Sequence, residues 1–369
     1  MAEETARLPA LLALLDTLAH AARLMHPRRL APLAALLDAP EAALHAADPA
    51  AGPVPGPVPG PVPGPVQAQL DVAAGHAIQA CAGLRAAAPD NGIRQAYRAM
   101  RHYSQALEAL FPLAEFLPAV SRYFLEAHRR DDPAVLARAA APPAPGTGVF
   151  HASNDIAEHG GFSVYVPSWY DAARPMPVIM ALHGGAGHGR LFLWNWVPEA
   201  RTRGMIVVAP TAIGSTWSLT QPEIDSRNLA RILGRVRARW AIDPARLLLT
   251  GMSDGGTFTL ISGVAEESPF THLAPAAAAF HPLMLAMASP GRLAGLPIYL
   301  VHGALDWMFP VDGARTAQRA LAAAGAAVTY REIADLSHAW PRDEQAAMLD
   351  WFVTHGSAAA VRPSMTGPD

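Results

Sequence analysis

Two hydrophobic periodicities divide this chain. In its first part, apolar residues recur at three- and four-residue intervals. They run from Leu8 to Leu15, break at Asp16 and return at Leu18, Leu24 and Leu30; a later set is Tyr97, Met100, Tyr103, Leu107 and Leu110. That spacing lines one face of a helix. It predicts two or three short helices before residue 50, a helix from Gln67 to Ala88, a turn at Pro89-Asp90-Asn91-Gly92 and a helix from Ile93 to Phe111. Pro118 interrupts the next stretch, 116–125. From about residue 160 short apolar runs alternate with helical segments. Strands are expected at 162–166, 177–182, 205–209, 246–250, 274–280, 297–302 and 327–333, and helices at 223–240, 254–265, 313–324 and 342–355. Such alternation predicts an α/β class with a mostly parallel sheet, preceded by an all-α region.

Between the early helices lies a repeat, Gly52-Pro53-Val54-Pro55 and its successors, running to Val66. Proline at every second position removes backbone donors and fixes φ, so the expectation is an extended spacer. A second proline-rich stretch, Ala141 to Gly146, marks another boundary. The expected organisation is a helical segment 1–51, a linker 52–66, a helical accessory region 67–145, a catalytic domain 146–358 and a tail 359–369.

The chemistry concentrates in the α/β part. Leu247-Leu248-Leu249-Thr250 reads as a strand entering Gly251-Met252-Ser253-Asp254-Gly255, after which Gly256 and Thr257 open a helix. A serine on a sharp strand-to-helix turn needs small neighbours, and the helix N-terminus turns its free N–H groups toward the reacting oxygen. A serine nucleophile also needs a base and a group to orient that base. The run Pro297–Gly303 exits toward Asp306, and the strand ending at Ile333 exits toward His338, which lies between the last strand and the last helix. Asp306 is preferred as the acid on loop position; Asp312 could cap the following helix and Asp335 could serve a turn. His302 and His281 read as structural. For the oxyanion, one backbone donor is expected from Asp254 and the other from Gly184 or Gly185, after the strand 177–182. His183 reads as an anchor of that loop. Trp194, Trp196, Trp217, Trp307 and Phe309 lie near these loops. Trp194, Trp217 and Trp307 are the candidates for an apolar substrate wall, although each could equally be core.

Residues 160 to 355 resemble the α/β-hydrolase superfamily. Within it they resemble the group of polyhydroxybutyrate depolymerases, feruloyl esterases and bacterial carboxylesterases. The residues carrying the resemblance are Tyr165-Val166-Pro167, Leu182-His183-Gly184-Gly185, Ile242-Asp243-Pro244-Ala245-Arg246, Thr250 to Gly256, and His338-Ala339-Trp340-Pro341. The resemblance implies an α/β-hydrolase fold and a serine esterase acting through Ser253, His338 and Asp306, with an acyl-enzyme intermediate and no cofactor. Asp254 departs from the small residue many relatives carry there, which could disfavour anionic substrates or cap the helix.

Composition narrows the alternatives. All 28 basic residues are arginine, which excludes a Schiff-base lysine, a Ser–Lys dyad and a lysine-bearing phosphate loop. A net charge of −3 gives no argument for nucleic acid or an anionic membrane. No pair of histidines stands at metal-ligand spacing beside a carboxylate, so no metal is expected. Cys81 is the single cysteine, and the opening Met1-Ala2-Glu3-Glu4 is acidic where a secretory leader needs positive charge; both point to a cytoplasmic protein. The expected partner is a small-molecule or oligomeric ester, with no nucleic acid and no membrane span. The N-terminal helices could form a lid, a homo-oligomer contact or a partner-binding module. The rival activities are a peptidase or a thioesterase on the same fold, or a non-enzymatic helical interaction protein on a hydrolase-like scaffold.

Overall fold

The computed structural model describes residues 7–47, 64–88, 92–286, 288 and 290–355. The repeat as far as residue 63, the turn at 89–91 and the tail 359–369 lie outside the described residues. The chain forms two compact units, residues 1–136 and 137–369. No described helix is long and apolar enough to cross a membrane.

The first unit is helical. Its main elements are Arg7–Arg23, Leu30–Ala35, Asp38–Ala46, Gly64–Ala87 and Ile93–Leu110. The first is 17 residues long and buries Leu8, Leu11, Leu14, Leu15 and Leu18 along one stripe. The helix expected from Gln67 begins at Gly64 and takes in the last turn of the repeat. Proline is tolerated there because the first turn of a helix has no use for its N–H. This helix and Ile93–Leu110 both bury alanines, including Ala77, Ala80, Ala96 and Ala99. They approach so closely that a Cβ on Gly83 would lie 2.6 Å from that of Ala99. Pro118 likewise opens a helix, Pro118–Tyr123, rather than interrupting one.

The second unit is built on one eight-stranded sheet: β1 (Gly148–Ala152), β2 (Phe162–Val166), β3 (Met176–Leu182), β4 (Ile206–Pro210), β5 (Ile242–Met252), β6 (His272–Ala276), β7 (Pro297–Gly303) and β8 (Ala327–Ile333). Their order is β1-β2-β4-β3-β5-β6-β7-β8. The β1–β2 and β2–β4 pairs are antiparallel and the others parallel. Strands covered on both faces need apolar runs rather than alternation, which is why β2, β4, β6 and β7 are buried at every residue. Helices Glu223–Arg239, Asp254–Gly263, Val311–Ala323 and Gln345–Thr354 alternate with the later strands.

Two differences from the sequence pattern have local causes. Strand β1 is half-exposed and lacks an apolar run, so periodicity does not mark it. Strand β6 ends at Ala276, short of the alanine run that follows. Ala277 turns to φ +46°, and its N–H donates instead to the carbonyl of Val301 at 3.0 Å.

Candidate active site

Ser253 stands between the end of β5 and helix Asp254–Gly263, with φ +56° and ψ −121°. That backbone is strained for any residue with a Cβ and persists only where surrounding contacts enforce it. The Ser253 N–H donates to Ala276 at 3.0 Å, and its carbonyl accepts from Thr257 N–H at 2.8 Å. The flanking glycines are required by space. A Cβ on Gly251 would lie 2.6 Å from the Gly255 carbonyl, one on Gly255 2.5 Å from the carbonyl oxygens of Leu182 and His183, and one on Gly256 2.6 Å from that of Ala276.

His338 arrives from the loop after β8 and Asp306 from the loop after β7. Gly303 lets the two loops cross, since a Cβ there would lie 2.3 Å from the Leu336 carbonyl oxygen. The crossing is fastened by Leu305 N–H donating to Leu336 at 2.9 Å and Ala304 N–H to Ile333 at 2.9 Å. At the centre, the buried imidazole of His338 donates through Nδ1 to Asp306 Oδ2 at 2.8 Å. Its Nε2 accepts from the Ser253 hydroxyl at 2.9 Å. The other carboxylate oxygen of Asp306 accepts from the amides of Met308 at 2.9 Å and Phe309 at 2.8 Å. Burial pushes the Asp306 carboxyl upward, but the hydrogen bond and charge attraction of His338, with these two amides, outweigh it and hold it below the usual value.

The other sequence candidates are placed as follows. Asp312 is exposed at the start of its helix and pairs with Arg315 at 2.8 Å. His302 is buried on β7; it donates through Nε2 to the Phe309 carbonyl at 2.8 Å and lies 3.4 Å from Asp306 Oδ2. His183 is buried on the β3 exit. It donates through Nδ1 to Gly184 at 2.7 Å and accepts through Nε2 from Ala212 N–H at 3.1 Å. Both nitrogens are used by the neutral ring, and desolvation lowers its pKa to about 4, so it anchors the loop.

On the β3 exit, a Cβ on Gly184 would lie 3.6 Å from the Ser253 Cβ, and one on Gly185 2.6 Å from Asp254 Oδ2. Ala186 at φ +52° completes the turn. Asp254 is the first residue of its helix, so its N–H has no partner in the helical ladder. The glycine loop and the helix start therefore both lie beside Ser253.

Two of the three tryptophan candidates do not offer a wall to substrate. Trp194 and Trp217 are each only 2% exposed. Trp217 is covered by Phe258, stacked at 5.4 Å, and by His183 at 4.9 Å. Trp194 is enclosed with the 193–196 turn, whose Trp196 packs on Trp340 at 5.1 Å. Indoles are large enough to fill core space, and burial closes their faces. Trp307 is 36% exposed, and its ring edge meets His338 at 6.1 Å, with Phe309 at 5.2 Å.

Sequence reasoning missed the loop after β4. Buried Asp225 accepts from the amides of Ile213 at 3.0 Å and Ser218 at 2.9 Å. This fixes a turn that presents Thr216 to Asp254. Nothing in a loop of small polar residues signals such a role.

Residues 226–355 match the family model of the phospholipases and carboxylesterases. With the sheet order above, that decides the fold. The second unit has the α/β-hydrolase fold. Solved structures similar to this chain include a thermostable esterase, 20% identical over 56% of this chain with a TM-score of 0.45; this chain spans 62% of its length. Esterase PE8 is 20% identical over 52% of this chain and 97% of its own, with a TM-score of 0.43. The acetyl xylan esterase from Aspergillus awamori is 14% identical over 56% of this chain and 99% of its own, with a TM-score of 0.43. A comparison with curated proteins finds no match.

Proposed function

We propose that this protein is a serine hydrolase of carboxylic esters, with Ser253 as nucleophile, His338 as base and Asp306 as the acid that orients it. The observation carrying this reading is the unbroken relay from Ser253 Oγ to His338 Nε2 at 2.9 Å and from Nδ1 to Asp306 at 2.8 Å. In this reading Ser253 Oγ attacks the acyl carbon as its proton passes to His338 Nε2. Asp306 stays ionised and stabilises the imidazolium, consistent with its lowered pKa. The backbone amides of Asp254 and of Gly184 or Gly185 receive the oxyanion. Collapse of the tetrahedral species breaks the ester C–O bond, and His338 returns its proton to the leaving alcohol. Water then enters with its proton taken by His338, and the same steps in reverse order release the acid and restore Ser253.

The exposed side chains of Leu305, Trp307 and Met308 on the acid loop support an apolar substrate moiety beside His338. No catalytic motif stands in the sequence of residues 1–145, which supports reading the helical region as an accessory module. The sole cysteine, Cys81, allows no intramolecular disulfide, which supports the cytoplasmic reading.

A fluorophosphonate probe and p-nitrophenyl butyrate test the proposal together. The protein is expected to be labelled on Ser253 and to hydrolyse the ester; Ser253→Ala should abolish labelling and lower turnover by about four orders of magnitude or more with the fold retained. Labelling elsewhere, or near-normal turnover in the variant, would overturn the nucleophile assignment.

A further inference from the structure

The residue after Ser253 carries a carboxylate held in a fixed position. Thr216 donates its hydroxyl to Asp254 Oδ2 at 2.6 Å. The same oxygen lies against Gly185, where a Cβ would come within 2.6 Å of it, with Thr216 Oγ1 3.8 Å from that point. Thr216 is held from behind. Asp225, fully buried, takes the amides of Ile213 and Ser218 and the Ser218 hydroxyl at 2.8 Å. Trp217, between Thr216 and Ser218, donates its indole N–H to the His183 carbonyl at 2.8 Å. The turn 213–218 is thus tied both to helix Glu223–Arg239 and to the β3 exit, and Thr216 projects from it onto Asp254.

Asp254 is half-buried, and among the described residues no cation forms an ion pair with it. Its negative charge stands on the glycine loop that flanks Ser253. Charges separated by low-dielectric protein repel far more strongly than in water, and specificity is often set by such a repulsive element. An acyl chain running along this loop would carry any carboxylate of its own toward a fixed like charge.

We propose that Asp254, aimed by Thr216, is a specificity-determining residue that makes the site reject esters whose acyl part bears a negative charge. The inference rests on the ester-hydrolase reading above. It deepens that reading by naming the substrate class as neutral or cationic acyl esters.

A matched pair of activated esters tests it: p-nitrophenyl butyrate and the p-nitrophenyl monoester of succinate, compared in the full-length protein and in Asp254→Asn. The amide keeps the shape and an acceptor for Thr216 and removes only the charge, and the intrinsic reactivities of the esters cancel in the comparison. The butyrate-to-succinate ratio of kcat/KM is expected to fall about fivefold or more in Asp254→Asn. In the wild type the ratio should also narrow at high salt, because a charge only half-buried is still partly screened. Asp312→Asn, on a distant exposed helix, should leave it unchanged. Labelling rates with a neutral and a carboxylate-bearing phosphonate read the same ratio without turnover. An equal ratio in wild type and Asp254→Asn, or an equal loss on both substrates, overturns the charge role while leaving the esterase reading intact. Failure of the wild type to be labelled at Ser253 by either phosphonate overturns both.

Discussion

The indole N–H of Trp217 donates to the main-chain carbonyl of His183 at 2.8 Å, while its ring lies between His183 and Phe258. One side chain thus pins the loop after β4 to the loop after β3, directly behind Gly184 and Gly185. A buried tryptophan that reads from sequence as a substrate wall is a support for the glycine turn.

Trp217→Phe keeps the apolar bulk but leaves a buried carbonyl unpaired. It should lower stability by about 1–3 kcal/mol and reduce kcat more than it changes KM, because the glycine loop loosens. Trp307→Ala, on the exposed acid loop, should leave stability within about 0.5 kcal/mol and raise KM for esters with a large apolar group. Urea denaturation and steady-state kinetics measure both. Equal destabilisation by the two substitutions would contradict the division of roles.

Ser253 holds φ +56°, a backbone that glycine adopts without penalty. Ser253→Gly should therefore be more stable than Ser253→Ala by about 1–3 kcal/mol, although neither variant would turn over ester. A thermal midpoint for the glycine variant at or below that of the alanine variant would show that the turn stores no strain.

Asp306 contacts the imidazole, and Asp312 contacts Arg315 on an exposed helix. Asp306→Asn should cost about three to four orders of magnitude in kcat, since the amide favours the wrong tautomer and does not stabilise the imidazolium. Asp312→Asn and Asp335→Asn should stay within about threefold of wild type, as surface changes do. A larger loss at Asp312 or Asp335 would reassign the acid.

Burial lowers the pKa of His183 and of His272 to about 4 in the folded chain, against about 6.5 when unfolded. Below pH 6.5 the unfolded state gains protons that the native state does not accept until near pH 4, so stability falls as pH falls across that window. Each histidine contributes at most about 3 kcal/mol to the loss. The depressed carboxyl of Asp306 adds a further loss only at lower pH, as the solution passes through its folded pKa. Urea midpoints between pH 7 and pH 4 should decline steadily, and His272→Phe should shallow the slope. A flat profile would contradict neutral burial of these rings.

The sequence by itself determined what is local. Three- and four-residue spacing marked Arg7–Arg23 and Ile93–Leu110, apolar runs marked the strands from β2 to β7, and glycines around Ser253 announced a turn that admits no Cβ at its flanks. These features follow from backbone geometry and from which face of an element leaves water, and both act over a few residues. Tertiary structure decided everything that depends on what an element meets. Strand β1 exists because Gly148–Ala152 pairs with β2, not because of its own pattern. His338 reaches Ser253 across 85 positions of chain, and Gly303 leaves room for the loops of Asp306 and His338 to cross. Trp194 and Trp217 went inside while Trp307 stayed at the surface, although all three are the same residue type in comparable loops. Periodicity records that a side chain is covered; only packing fixes which neighbour covers it. Thr216, Asp225 and Asp254 show the same limit, since their hydrogen bonds tie one loop to the starts of two helices whose sequences carry no common signal.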